Sequence, residues 1–255
     1  PRTMEWISSR IQRPALFWWN FPVTDYARHI VMQGPVYGLS PVLTEKETRG
    51  LVSNPMEHGE ASKLALYSVA DYTWNMETFN NMENWKASLP AVVGKKNAGD
   101  FERIVPYLRY YDSLSPLAGM INEFKAAYGK DPNNASVEPL KAEFAKIISS
   151  CSTIAEMKES GCVSDSLFYE DLRPWLLKVK NMSQSAIVML DALAASDLSK
   201  VNTLKVNITT KGLVGRFAVN DTTPVSLEKS KARKDKSNDF HIQPTSSSVS
   251  LGWPA

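Results

Sequence analysis

Four side chains in the first quarter of the sequence are of the types that bind a sugar ring. Trp18 lies in an apolar run, Asn20 directly follows it, and Asp25 lies five residues further on, while Asn54 follows a second, shorter apolar run. A pyranose presents apolar C–H faces and a ring of hydroxyl groups, so its binding sites combine an aromatic ring with amide and carboxylate groups. The pattern therefore predicts a carbohydrate site.

Each of these residues also has a purely structural interpretation. Asn54 is followed by a proline and, three residues on, by a glutamate, a pattern typical of a helix N-cap. Asp25 could cap a short helix that starts at the next residue. Successive side chains of a strand face opposite sides, so at most one of Trp18 and Trp19 is expected to face a sugar.

Two strands and one helix must position these residues. Residues 15–19 are apolar without alternation, which predicts a strand covered on both faces of a parallel α/β sheet, and residues 50–52 form a second short strand. Residues 20–45 between them are rich in Pro and Gly and predict a long loop, functional or disordered. Apolar residues at helical spacing follow as far as Trp74. Because two strands do not close a sheet, residues 1–76 are expected to need strands upstream or support from another domain.

The remainder of the chain is predicted to be helical and then β-rich. Residues 77–205 show helical periodicity with short connections, which indicates an all-α helical bundle. Pro174 predicts a kink or the start of a new helix. From residue 206 to 255, Thr, Val, Gly and Ser predominate, which predicts a linker and the start of a β-rich module. The expected fold is predominantly α, with candidate helices at 81–89, 101–114, 117–128, 137–158, 167–180 and 182–195.

Composition and motifs exclude several classes of function. With 29 basic and 27 acidic residues, the net charge of +2 creates no field that would recruit nucleic acid or an anionic membrane. No window approaches the apolar length of a membrane span. The sequence contains no GxGxxG, GxxxxGK[ST], HExxH or GxSxG motif, and its three histidines lack ligand spacing, so no metal and no cofactor is predicted. Cys151 and Cys162 match no zinc or redox spacing, and their pairing stays open.

Three ordered blocks resemble glycoside hydrolase family 84, the β-N-acetylglucosaminidases of bacteria and the eukaryotic O-GlcNAcases. The blocks are Trp18–Tyr26, Gly34–Gly38 and Ser53–Lys63. This resemblance implies that residues 1–76 are the carboxyl-terminal end of a (β/α)8 TIM barrel, its last two β/α units. The helical residues 77–205 resemble, more loosely, the bundle that follows the barrel in bacterial members.

The resemblance also implies roles for the four candidate residues. Trp18 is expected to line a sugar pocket, and Asn20 to lie near the acetamido and catalytic groups. Asp25 is expected to accept hydrogen bonds from the O4 and O6 hydroxyls, and Asn54 to add a third polar contact. The implied partner is a glycan or glycoprotein that contains N-acetylglucosamine. Export to the periplasm, surface or medium of a bacterium is an expectation from the family alone.

Family members retain the anomeric configuration by substrate-assisted catalysis. The substrate's own N-acetyl oxygen is the nucleophile, while two adjacent aspartates polarise the acetamide and protonate the leaving oxygen, unlike schemes with an enzyme nucleophile. This chain contains no adjacent pair of aspartates. We therefore expect it to supply no catalytic residue, to need an upstream barrel segment for a complete site, and to be inactive by itself.

Two other interpretations stay open. The chain could be a non-catalytic helical protein that binds carbohydrate or another partner and carries a relic of the barrel, or a helical protein with accidental motifs. An aspartate pair after a barrel strand upstream of Pro1 would favour the hydrolase. A reading frame that opens near Pro1 would favour the binding protein.

Overall fold

The computed structural model describes residues 2–24, 31, 34–36, 39–40, 48–108 and 116–197, with four short strands between 208 and 225. Helix predominates, which confirms the predominantly α fold. The helices are α1 (Arg2–Ile11), α2 (Gly59–Trp74), α3 (Asn81–Ile104), α4 (Pro116–Lys130), α5 (Glu138–Ala155) and α6 (Val163–Ala194). The strands are β1 (Ala15–Pro22), β2 (Thr48–Asn54), β3 (Ile208–Thr209), β4 (Gly212–Leu213), β5 (Phe217–Val219) and β6 (Thr223–Val225).

The chain separates into two compact units, residues 1–98 and residues 99–255. The first contains the β1–β2 sheet and α2, and the second contains α4, α5 and α6. The three-part division expected from the sequence, at 76/77 and 205/206, stays a prediction. None of the helices in the described part is both long and apolar enough to cross a membrane.

The first unit is built on a parallel pair of strands. β1 and β2 run in register from Leu16 opposite Gly50 to Trp19 opposite Ser53. The register then shifts, and Pro22 lies opposite Asn54. β1 therefore advances by three residues where β2 advances by one, which is the geometry of an irregular, bulged strand end. The two strands end side by side.

Only one face of β1 is covered by the residues that the structure describes. Leu16 and Trp18 are 63% and 62% exposed, whereas Phe21 is 1% exposed and stacks on Trp19 with the ring centroids 4.5 Å apart. Within the described residues, the expected cover on both faces is therefore not seen, although every residue of the run is apolar. The covered face packs on a core formed by Phe21, Val36, Ala65 and Val69, flanked by Trp19, Leu39, Leu51, Leu66 and Phe79.

The helix after β2 begins later than expected. The backbone stays in the strand through Asn54, and α2 starts at Gly59 with His58 as its N-cap residue. The Ser62 hydroxyl accepts the Met56 N–H at 3.0 Å and donates to the His58 carbonyl at 2.9 Å, which fixes this turn. The interpretation of Asn54 as a helix cap is therefore wrong, and its side chain is available for another role.

α3 consists of two helical segments that meet at a kink, and each segment overlaps one of two helices predicted separately. Residues 81–89 and the start of 101–114 both fall within it, and its regular path is interrupted at Gly94, with φ 79° and ψ 153°. A positive φ is accessible to glycine because it has no Cβ. After α3 the chain forms a 3₁₀ turn at Val105–Tyr107, so the predicted α-helix is wrong there. Residues 109–115 lie outside the described residues.

α6 runs as one helix from Val163 to Ala194, so the predicted division into helices 167–180 and 182–195 is wrong. Pro174 lies inside this helix and starts no new one. Proline in a helix interior removes one hydrogen bond and crowds the preceding turn. The packing of an apolar stripe offsets this cost, because α5 lies along α6 and the stripe is buried. Its buried members are Phe168, Leu172, Leu176 and Val179.

The sequence left the pairing of Cys151 and Cys162 open. Cys151 is buried and Cys162 is exposed, and both are free thiols. Burial raises the pKa of Cys151 to about 12, so this thiol is un-ionised at neutral pH and behaves as a core residue.

In the predicted β-rich region, β3 pairs with β4 and β5 pairs with β6, and both pairs are antiparallel. Val249, Ser250 and Leu251 alternate in the way that predicts a further strand, and they lie outside the described residues.

Candidate functional site

Three of the four predicted site residues contact one another. The Asn54 side-chain N–H donates to Oδ1 of Asn20 at 3.1 Å, across 34 residues of sequence. The Trp18 indole N–H donates to the same oxygen at 2.8 Å. Asn20 therefore accepts two hydrogen bonds through one atom. The three side chains form a continuous polar group at the carboxyl end of the sheet. We call Asn20 and Asn54 the amide pair, and Trp18 is its indole donor.

The strand geometry explains why these residues meet. Trp18 and Asn20 are two positions apart on β1 and therefore lie on the same face, which is the exposed one. Asn54 is the last residue of β2, and the neighbouring β1 ends at Pro22. The carboxyl ends of parallel strands are where α/β folds place their ligand sites. The sequence spacing and the parallel pairing thus bring both amides to one edge.

Backbone contacts hold the two strand ends together behind the amide pair. The Val23 N–H donates to the Asn54 carbonyl at 3.0 Å, which extends the pairing beyond the end of β1. The Ser53 hydroxyl donates to the Phe21 carbonyl. Sequence reasoning gave Ser53 no role, although a polar residue at the end of an apolar strand is a signal that could have identified it. Asn20 and Asn54 are thereby fixed through their backbones as well as through their side chains.

A buried tyrosine supports the loop between the two strands. The Tyr72 hydroxyl, on α2, donates to the Ser40 carbonyl at 2.6 Å, and its ring meets Phe79 edge-on at 5.5 Å. Burial raises the pKa of Tyr72, so the hydroxyl keeps its proton and stays a donor at neutral pH. Tyr72 belongs to the face of apolar residues at helical spacing that predicts α2, but nothing in the sequence indicates this polar contact.

Asp25, the fourth predicted site residue, lies outside the described residues. The chain reaches it directly after Thr24, which is 5% exposed. Its expected contact with sugar hydroxyls stays a prediction, as do the binding roles of Trp18, Asn20 and Asn54.

The described part of the site can bind but carries no group suited to proton transfer. An indole and two carboxamides donate and accept hydrogen bonds without titrating in the accessible pH range. In the stretches that the structure describes, no three His, Cys, Asp or Glu side chains lie close enough together to hold a metal ion. The arrangement fits recognition of a neutral, hydroxyl-rich molecule, and any acid–base chemistry must come from other groups.

Comparison with known proteins connects this region to a family of glycosidases. Residues 1–105 match the model of the family described as beta-N-acetylglucosaminidase. The matched residues include both strands, α2 and the whole amide pair with its indole donor. The resemblance predicted from the three sequence blocks is confirmed.

Solved structures extend the similarity to the helical part. The chain resembles CpGH84D with a TM-score of 0.63 and 23% identity, over 78% of this chain and 34% of that one. A mutant of the Thermobaculum terrenum O-GlcNAc hydrolase gives a TM-score of 0.61 and 22% identity, over 76% and 42% of the two chains. CpGH84B gives 0.59 and 23%, over 77% and 35%. The chain spans about a third to two-fifths of the length of these structures. At such identities the likeness shows a shared fold.

Proposed function

We propose that this chain supplies the sugar-binding edge of a retaining β-N-acetylglucosaminidase that hydrolyses terminal β-linked N-acetylglucosamine by substrate-assisted catalysis. The observation that supports this most directly is the contact between Asn20 and Asn54 at the ends of two parallel strands. Both residues lie in the region that matches the glycosidase family. A helix-capping asparagine would bond the backbone of its own helix, whereas the Asn54 side chain donates to Asn20 on the neighbouring strand.

In this proposal the β1–β2–α2 segment is the end of a TIM barrel, and the helices that follow form the bundle attached to it. A barrel places its active site at the carboxyl ends of its strands. The amide pair lies at that end of β1 and β2. The similarity to glycosidase structures covers 78% of the chain, which exceeds the family match at residues 1–105 and so includes part of the helical region.

The residues of this chain bind and orient the sugar in the proposed reaction. Asp25 and Asn54 hold ring hydroxyls, and Asn20 contacts the group near the reacting end. The acetamido oxygen of the substrate attacks the anomeric carbon, and the leaving oxygen takes a proton from a carboxylic acid. That acid and the carboxylate that polarises the acetamide come from outside this chain, which has no adjacent aspartates. The proposed substrate is a glycan or glycoprotein, met by an exported bacterial enzyme.

The chain by itself is expected to show no glycosidase turnover. Binding groups alone do not protonate a leaving oxygen, and general acid catalysis contributes about 10²–10⁴-fold. The measurement is release of the aryl alcohol from an aryl β-N-acetylglucosaminide by the purified chain. Turnover comparable to that of a complete enzyme of this kind would contradict the proposed division of roles.

Replacing Asp25 with alanine in the full-length protein is expected to weaken binding of N-acetylglucosamine by about 1.5–3 kcal/mol, or about tenfold or more. The reason is that a carboxylate which accepts hydrogen bonds from sugar hydroxyls is lost. Calorimetric titration measures the dissociation constant, and Glu102→Ala, an exposed acid on α3, is the matched control. If the two variants bind equally well, Asp25 has no part in recognition.

A further inference from the structure

The indole of Trp18 imposes a direction on both amides. An indole N–H is a donor only, so the atom of Asn20 that faces it must be the amide oxygen. This requirement removes the usual ambiguity between the oxygen and nitrogen of an asparagine side chain. With Nε1 of Trp18 at 2.8 Å from Oδ1, the NH2 group of Asn20 is turned away from the indole.

The position of the Asn20 oxygen also determines the orientation of the Asn54 amide. The Asn20 oxygen also receives the hydrogen bond from Asn54 at 3.1 Å, so Asn54 must present its NH2 group there and its oxygen elsewhere. An amide oxygen has two lone pairs, and here both have a donor. No other side-chain hydrogen bond of Asn20 or Asn54 occurs among the residues that the structure describes. The outward groups are therefore the NH2 of Asn20 and the oxygen of Asn54.

We propose that Trp18 is a positioning residue whose indole N–H fixes Asn20 as the outward donor and Asn54 as the outward acceptor of the site. The site then selects a ligand that offers an acceptor oxygen to Asn20 and a hydroxyl donor to Asn54. This proposal rests on the proposed sugar-binding function for its ligand, but the orientation of the amides does not depend on that function. Trp18 acts through Asn20, in addition to any contact that its ring makes with a sugar.

The decisive test is a nuclear magnetic resonance experiment on the full chain with ¹⁵N-labelled tryptophan and asparagine. Trp18→Phe keeps an aromatic ring but removes the indole donor, and it is expected to shift the side-chain amide signals of both Asn20 and Asn54. Trp74→Phe is the matched control, because Trp74 is 86% exposed at the end of α2. It should remove only its own indole signal. Unchanged amide signals of Asn20 and Asn54 in Trp18→Phe would overturn the proposal whatever the chain binds.

A second variant separates positioning from simple structural support. Asn20→Asp keeps an inward oxygen that accepts from Trp18 and Asn54, but it replaces the outward NH2 by a second oxygen. The indole N–H of Trp18 should therefore stay hydrogen-bonded, while binding of N-acetylglucosamine to the full-length protein is weakened by about tenfold. Normal binding by Asn20→Asp would show that no outward donor is needed and would overturn the proposal.

A double-mutant cycle measures the coupling through Asn20. Trp18→Phe alone is expected to weaken binding of N-acetylglucosamine to the full-length protein by about two- to tenfold, the contribution of one hydrogen bond. In the Asn20→Ala background the same change should have no further effect, because the group that it positions is gone. Equal losses in both backgrounds would overturn the positioning role. If the unaltered protein does not bind N-acetylglucosamine, the proposed function fails, and the amide signals still decide the orientation.

Discussion

Replacing Phe21 with alanine is expected to lower the free energy of unfolding of residues 1–98 by about 3–5 kcal/mol. Phe21 is 1% exposed, stacks on Trp19 and contacts the core between the sheet and α2, so its removal leaves a cavity in the centre of the unit. Its carbonyl also accepts from Ser53, next to Asn54. We therefore expect the contact between Asn20 and Asn54 to loosen as well. Urea unfolding and amide hydrogen exchange of β1 and α2 measure the change.

Leu16→Ala is the matched control for this prediction, because it removes a large apolar side chain from the same strand. Leu16 is 63% exposed on the other face of β1. Its replacement is expected to change the free energy of unfolding of this chain by no more than about 0.5 kcal/mol. Equal losses from the two substitutions would show that the two faces of β1 are equally packed, contrary to the structure.

Replacing Lys178 with methionine is expected to stabilise the second unit at pH 7 by up to about 3 kcal/mol. Lys178 lies on α6 and is 6% exposed, and burial lowers the pKa of its ammonium group to about 8 from an ordinary value of 10.5. A pKa shift of this size means that keeping Lys178 charged costs the folded state about 3 kcal/mol relative to the unfolded chain. Methionine is a flexible apolar side chain that suits an irregular core, so it removes the penalty.

The stabilisation by Lys178→Met depends on pH in a defined direction. Below pH 8 the lysine is charged in both the folded and the unfolded chain, and the folded state bears the full penalty. Between pH 8 and 10.5 the folded state releases its proton first, so the unaltered chain gains stability as the pH rises. The advantage of the variant should therefore be largest at pH 7 and nearly absent above pH 10.5. Chemical denaturation at both pH values, with hydrogen exchange of α6, measures it.

The control for this experiment is Lys125→Met, which changes an exposed lysine of α4 in the same unit. Its effect on unfolding should stay within about 0.5 kcal/mol at either pH. A Lys178→Met variant that is less stable than the unaltered chain at pH 7 would show that contacts of the ammonium group outweigh the cost of its burial.

Much of the secondary structure follows from local sequence. α2 ends at Trp74 as its periodicity predicts. α4 ends at Lys130 and the turn after α5 ends at Glu159, close to the predicted helix ends at 128 and 158. These signals are local because they depend on residues three or four positions apart. The errors arose where tertiary contacts outweighed local preference. Pro174 predicts a kink or the start of a new helix, but the stripe around Leu172 and Leu176 is buried and α6 continues as one helix.

The sequence by itself determined which residue types could bind a sugar. It also predicted Trp18 in one strand, Asn20 directly after that strand, and Asn54 shortly after a second strand. It could not determine that Asn54 is the end of a strand and not the cap of a helix, because both readings satisfy the same local pattern. Only the tertiary structure decided this. The register shift between β1 and β2 brings the two amides together across 34 residues, and the donor-only indole then fixes their direction. Strand register and hydrogen-bond direction are pairwise properties of distant residues, so no window of sequence contains them.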